Sequence, residues 1–402
     1  MRPHRRSNTL EVKFKDDKRA FSLGDNCTIL WNILTYKRRQ SFWKHKFTWA
    51  SKREYNAFKK LIGSATAQQT IRKNDEAWRS FFRQLKLLKQ GTLKGVTYAN
   101  PPGYWKDKQG NRIPRIIIRN DCYTINGQRL KLPLGLKGRV HGKPEWQGKQ
   151  GTLTLKHDAL DGQWNAQQSM VVTRPRFRKN GERAFVDIGV RCIIAGWTQD
   201  AKQVIAYSGN PLLADWWYQT SRITQLQRML PKGQHTSHHI QCLYRLRQRR
   251  FHQAVNSIVA DYTQRCLNEN VSTIVAGDLK HVLDNNNHTA PVNAMLHNFW
   301  SNQYILQRLK CTAENHGIRV RTRSERGTSS RCPWCRSKHV QKRKRLFRCL
   351  SCGREAHRDV VGALNIGLVS CKERGVINRV MTHPRLIQTR NLQVNLEESP
   401  DL

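Results

Sequence analysis

Apolar and polar residues alternate along TLEVKFK, residues 9–15, with the period of a half-buried strand. Residues 1–8 before it are basic and carry no apolar period, which predicts a disordered tail. From about Cys27 to Lys89 the pattern turns helical. Trp78, Phe81, Phe82, Leu85 and Leu88 recur at three- and four-residue spacings, the stripe of an amphipathic helix whose aromatics belong to a core. From Gly91 to about Val172, Gly, Pro and Asn punctuate short β-rich pieces: RIIIRN, CYTI, QRLKLPL and TLTLKH, with a hairpin turn at Asn126-Gly127. Together with the first strand these predict an antiparallel barrel into which the helices are inserted.

A basic linker, TRPRFRKNG, leads to RAFVDIGVRCIIAGWT, residues 183–198. This run predicts a buried strand carrying Asp187, a turn at Gly189 and a second apolar strand, with QVIAYSG as a third. Residues 211–268 read as helix, broken near Pro231-Lys232-Gly233. STIVAGDL, residues 272–279, has the length of a central parallel strand. A loop is expected over 285–289, then a helix over 295–316, then the strand IRVRTR ending near Glu325. DVVGALNIGLV, opening at Asp359, reads as a late amphipathic helix. Periodicity fades beyond about Cys371, and a mobile tail is expected there.

Composition adds a partner to this picture. Lysine plus arginine outnumber the acids 72 to 28 in 402 residues, a net charge of +44. Such an excess repels itself unless a polyanion neutralises it. Its spread over the whole length predicts a chain wrapped around a large nucleic acid. Twelve tryptophans and ten tyrosines offer bases a stacking surface. Seven of the eleven cysteines (27, 122, 192, 242, 266, 311 and 371) show no framework spacing, which suits a reducing compartment. No apolar run approaches membrane-spanning length, so a soluble, intracellular protein is expected.

The other four cysteines are the sharpest signal. Cys332, Cys335, Cys349 and Cys352 fall as C-x2-C-x13-C-x2-C, the spacing of one tetrahedral Zn2+ held by two knuckle turns. Gly353, just after the second pair, suits such a turn. The span between the pairs carries Arg336, Lys338, Lys342, Arg343, Lys344, Arg345 and Arg348, enough charge to lie along a phosphate backbone.

Acidic residues flank this knuckle on both sides. Phosphodiester hydrolysis by paired Mg2+ ions needs a few carboxylates holding the ions about 3.5–4 Å apart. Carboxylates suit the task because Mg2+ is hard and prefers oxygen. In an RNase H-like fold they come from the first strand, a central parallel strand or its neighbour, and a late helix. Asp187 and Asp359 stand at the first and last of these places.

The order VDIGV, IVAGDL, RSERGTSSRCPWC, then CLSCG-x3-HRDVVGALNIG resembles the TnpB family of transposon-encoded RNA-guided DNA nucleases, whose ancestry the miniature type V CRISPR effectors share. The motifs cover the C-terminal half; over the N-terminal half the likeness is architectural. The resemblance implies a multidomain α+β chain: an RNase H-like RuvC nuclease domain with an inserted zinc knuckle, and a wedge β-barrel interrupted by a helical recognition domain. The expected division is a tail and first wedge strand at 1–15, the recognition helices at 16–90 and the wedge at 91–178. RuvC then runs over 179–328 and 356–371 around a knuckle at 329–355, with a tail at 372–402.

The implied activity is Mg2+-dependent cutting of DNA after a short flanking motif is read, with a guide RNA as cofactor. The expected partners are that RNA, target double-stranded DNA and the RNA–DNA heteroduplex, in the prokaryotic cytoplasm at the nucleoid. By motif match Asp187 and Asp359 take the first and last catalytic positions. The chain departs from the family at the middle one, where Gly277 replaces a glutamate. Asp278 is next in sequence, but successive strand residues face opposite sides, which turns it away from an ion shared with Asp187. Glu325 is the better candidate, since IRVRTR should lie beside STIVAGDL about 4.8 Å away. The site is therefore expected at Asp187, Glu325 and Asp359, with Asp278 in reserve. Two other readings stay open: a guided DNA binder that does not cut, and a zinc-ribbon nucleic-acid protein without a guide.

Overall fold

The computed structural model describes residues 4–387 except 94–95, 108, 143, 174, 200, 279–288, 326–327, 371–376 and 378. The chain divides into two compact units, Met1–Arg174 and Pro175–Leu402. Among the described residues no helix is long and apolar enough to cross a membrane.

The first unit is built on an antiparallel sheet of seven strands, in the order 115–118, 149–158, 163–171, 5–14, 137–141, 129–131, 124–126. The first strand begins at Arg5, not after residue 8, and pairs Arg5 with Val171 and Asn8 with Gln168. Residues 5–8 therefore belong to the sheet and not to a tail. The alternation rule missed them because the inward position is polar. Asn8 is buried, accepts a hydrogen bond from the Trp146 N–H (2.8 Å) and donates to the Trp146 carbonyl (3.0 Å) and to Gln168 (3.1 Å). The expected barrel has edges: among the described residues, strands 115–118 and 124–126 end the order and do not pair with each other.

Three helices, Asp17–Trp43, Lys52–Ile62 and Ser64–Lys89, stand between the first and second strands. Leu23, Cys27, Leu30 and Leu34, spaced by three and four, pack on Ile116, Ile118, Leu153 and Trp164 of the sheet. Trp78 and Phe81 are buried, as core residues should be.

The second unit holds a six-stranded sheet in the order 319–324, 271–278, 182–187, 192–198, 205–208, 385–387. The strands at 182, 192 and 205 form an antiparallel meander, while 271–278 runs parallel to both 182–187 and 319–324. Alternate side chains define two faces. Ala184, Val186, Ile274 and Ala276 pack under the helices Asn210–Arg228, His238–Asn268 and Asn302–Asn315. Phe185 and Val275 face the other way, onto Val360, Ala363 and Leu364 of the helix Arg358–Ser370.

Two expectations need correction here. The helix over 295–316 is two helices, 290–298 and 302–315, because the chain breaks at Phe299–Ser301 and the Ser301 hydroxyl caps the second by accepting from the Tyr304 N–H (3.2 Å). The tail is not mobile throughout. Ile377 and Val380 are buried, and Arg385–Ile387 adds a parallel strand beside Ile205–Tyr207. Three residues are too few to show a period, so only the unpaired edge of 205–208 explains why this segment docks. Of the loop expected at 285–289, residues 285–288 lie outside the described residues, as do 388–402 of the tail.

Candidate active site and zinc centre

The four-cysteine cluster is set by two turns with matching hydrogen bonds. Cys332 N–H donates to the Ser337 carbonyl (2.9 Å) and Arg336 N–H to the Cys332 carbonyl (3.0 Å). In the second turn Cys349 N–H donates to the Arg354 carbonyl (2.9 Å) and Gly353 N–H to the Cys349 carbonyl (3.0 Å). Arg336 and Gly353 occupy equivalent left-handed positions, with φ of 68° and 67°. Glycine accepts that conformation freely, whereas the arginine is strained by it. The four sulfurs lie within 4.8 Å of one another, with 3.4 Å between Cys335 and Cys349 and 3.7 Å between Cys332 and Cys352. Thiolates at 2.3 Å from one Zn2+ stand about 3.8 Å apart, so these residues fit the ion. Behind them Phe347, Ala356 and Val361 form a small core beneath a sheet of strands 340–343, 346–349 and 355–357.

The acids meet on the face of the six-stranded sheet that carries the helix Arg358–Ser370. Asp187 ends the strand 182–187. Ala276 pairs with Val186, which puts Gly277 level with Asp187 and pointing the same way. Gly277 also pairs with Arg323 and Asp278 with Ser324, so Glu325 is the next residue off the neighbouring strand. A Cβ built on Gly277 would stand 1.6 Å from Glu325 Oε1 and 2.4 Å from its carboxyl carbon. The Glu325 carboxylate thus fills the space that a side chain at 277 would need.

The helix closes the site from above. A Cβ on Gly362 would stand 2.2 Å from Asp187 Oδ2, so glycine is what lets the helix pass over this carboxylate. One turn earlier Asp359 opens the helix, and it lines one cleft of about 830 Å³ with Asp187 and Glu325. Lys344, Arg345, Arg358 and Arg191 supply positive walls to the same cleft. Arg345, from the basic hairpin turn of the zinc module, donates to both Asp359 oxygens at 2.8 and 3.0 Å. The carboxylates are spread more widely than the cysteine sulfurs, the one group of such ligands within 4.8 Å among the described residues.

Electrostatics also points to missing positive charge at this place. Burial and the charge of Asp359 push Asp187 up to about 7, against the pull of Arg358 and Arg345. Burial, then Asp187 and Asp278, push Glu325 up to about 8. Glu325 Oε1 is buried and has no hydrogen-bond partner among the described residues. An orphaned carboxylate oxygen among like charges is what a cation would relieve. These residues therefore fit Mg2+.

The raised values have a consequence for stability. Folded Asp187 and Glu325 keep protons that the unfolded chain gives up near pH 4. Their contribution is fully present below that point and is lost as pH rises through about 7 and then about 8. In chelator, the protein should melt at a lower temperature at about pH 9 than at about pH 6. Asp187→Asn should flatten the fall, and added Mg2+ should oppose it. A slope equal in parent and Asp187→Asn would refute this origin.

Sequence reasoning did not single out two neighbours of the site. Arg345 was one basic residue among seven in its span, and only the fold shows that it reaches Asp359. Asn365 is buried, and its amide donates to the carbonyls of Thr328 (2.5 Å) and Arg331 (2.8 Å). Thr328 in turn donates its N–H (3.0 Å) and hydroxyl (2.8 Å) to the Glu325 carbonyl. The helix thereby pins the turn that presents Glu325. An asparagine inside an apolar helical stripe was the available signal, since a buried amide needs partners. Asp278 is not among the described residues that line the cleft, and its charge helps push Glu325 up.

Comparison with known proteins bears on kinship and fold. Residues 303–366 match the family described as Cas12f1-like, TNB domain, and residues 167–283 match the OrfB_IS605 family, described as probable transposase. The TnpB-like protein ORF457 of Acidianus two-tailed virus is 24% identical over 414 residues, covering 92% of this chain and 88% of that protein. The structure of the mini-RNA-guided endonuclease CRISPR-Cas_phi3 aligns with a TM-score of 0.51 at 10% identity, over 95% of this chain and 94% of that one. A Cas12f1-sgRNA-target DNA complex aligns with a TM-score of 0.38 at 16% identity, over 92% and 100%. In sequence the chain is thus similar to a TnpB-like protein over most of its length, and it carries a match to the Cas12f1-like TNB domain.

Proposed function

We propose that the protein is an RNA-guided DNA endonuclease that hydrolyses target DNA at Asp187, Glu325 and Asp359. The observation that carries this reading is the Glu325 carboxylate standing in the side-chain space of Gly277, level with Asp187. An antiparallel meander continued by two parallel strands is the RNase H-like order, and it brings the three acids to one end of one face. Two bound Mg2+ ions would supply activation of the attacking water and stabilisation of the leaving oxygen.

The chain's own residues do the rest. Asp187, Glu325 and Asp359 would hold the ions, the first two as deprotonated carboxylates. Gly362 keeps the helix close enough for Asp359 to share the site. Lys344, Arg345 and Arg358 draw the scissile phosphodiester into the cleft and orient it. The basic hairpin follows the strand backbone, while guide–target pairing reads sequence and the protein reads a short flanking motif. In this reading the first unit grips the heteroduplex, and the zinc knuckle is an insert of the nuclease domain.

A guided binder that does not cut is the second reading. The Arg345–Asp359 ion pair favours it, because a guanidinium then holds one of the three carboxylates. One experiment separates the two. The RNA that co-purifies with the protein is sequenced, and a duplex matching it is incubated with the complex. Cutting in Mg2+ but not in chelator is the expected result. Stable binding with no cut at any Mg2+ concentration would establish the binder instead, and no defined RNA species would overturn both.

A further inference from the structure

A second cavity in the same unit, of about 630 Å³, belongs to none of this chemistry. It lies between the helix His238–Asn268 and the segment around the break at Phe299–Ser301. Tyr244, Phe251, Phe299, Trp300 and Tyr304 supply flat walls, and His252 stacks on Tyr304 with centroids 4.1 Å apart and planes 22° apart.

A buried charge makes the cavity more than an apolar gap. Arg247 lines it at 8% exposure, its guanidinium 5.1 Å from the Tyr244 ring and 5.5 Å from that of Phe299. It donates to the Thr220 hydroxyl (2.9 Å), and among the described residues no carboxylate pairs with it directly; Asp215, whose charge also acts on it, pairs with Arg250 at 2.5 Å. A nearly buried cation with no carboxylate paired to it among the described residues favours an anion. Flat aromatic walls beside it suit the face of a planar heterocycle. Among the described residues no carboxylate lines the cavity to repel a phosphate.

We propose that this cavity receives one unstacked nucleotide of a single-stranded nucleic acid, its base against the rings and its phosphate on Arg247. The size lies within the range of small-ligand pockets, about 300–1,000 Å³. The inference rests on the nucleic-acid-binding part of the reading above and not on cutting.

The test uses the full chain with its co-purified RNA, and short DNA or RNA strands bearing one 5-iodouracil. After irradiation, cross-linked peptides should map to residues 244–252 or 296–304. Tyr244→Ala, at a half-exposed ring, should lower the yield about tenfold, as expected for loss of one base–aromatic stack. Arg247→Gln should lower it as well, provided its melting temperature matches the parent's; otherwise the tyrosine variant alone decides. Cross-linking by the DNA strand identifies a DNA occupant, and by the RNA strand an RNA one. Cross-links confined to other peptides, or parental yield in a folded Tyr244→Ala protein, would overturn the assignment. Guided cutting is scored in parallel on the parent. A cross-link without cutting sinks the nuclease and leaves the cavity, and the opposite pattern sinks the cavity alone.

Discussion

Glu325→Gln lowers the rate of guided cutting by about 10³-fold, the expected result of losing about 4 kcal/mol of metal-borne transition-state stabilisation. Target binding should be left unchanged, because guide–target pairing, and not a carboxylate of the cleft, reads the sequence. Gly277→Glu provides the sharper test. Its new side chain would need the volume that the Glu325 carboxylate fills, with a Cβ 1.6 Å from Oε1. Alone, it should cost on the order of 1–3 kcal/mol of stability through overpacking and should also lower the rate. Combined with Glu325→Ala it should restore cutting, since a carboxylate then reaches the same place from the adjacent strand. Rates on a guide-matched duplex and melting temperatures check all four proteins. Parental cutting by Glu325→Gln would remove Glu325 from the site, and Asp278→Asn would become the next variant to measure.

The zinc centre carries the second large effect. Apparent binding energies of structural Zn2+ are about 10–16 kcal/mol in small zinc modules. The buried apolar cluster here is only Cys332, Phe347, Cys349, Ala356 and Val361, far too small to hold three short strands without the ion. Cys349→Ser should therefore abolish stoichiometric zinc and expose the amides of 340–357 to rapid hydrogen exchange. The amides of the first unit should stay protected. Cutting should fall with the zinc although no acid is altered, because Arg345 and the base of the helix at Asp359 hang on this module: Arg358 N–H donates to the Arg345 carbonyl (2.8 Å). Unchanged exchange in a zinc-free variant would show that the fold does not need the ion.

How far the sequence revealed this arrangement depended on the range of each interaction. The cysteines were legible because two turns and one hairpin bring them together locally. Asp187 and Asp359 were legible from the elements that carry them, a short apolar strand and an apolar helix. Glu325 could be placed because parallel neighbours have a fixed spacing, although only coordinates show that its carboxylate fills the space over Gly277. Asn8, Arg345 and Asn365 were not singled out because each acts through a partner distant in sequence or through the backbone of a turn. The helix break at Phe299–Ser301 was hidden by apolar residues that continue across it, serving an aromatic cluster instead of a helix stripe.

The segment Arg385–Ile387 also has a meaning beyond the sheet it completes. A bare margin at 205–208 would offer open peptide groups to any other molecule with an extended segment, the usual route to unwanted assembly. Here that margin is occupied by a later segment of the same chain, and among the described residues the strand that covers it is three residues long with Arg385 at its head. A late segment of the chain thus covers an edge that would otherwise invite self-association.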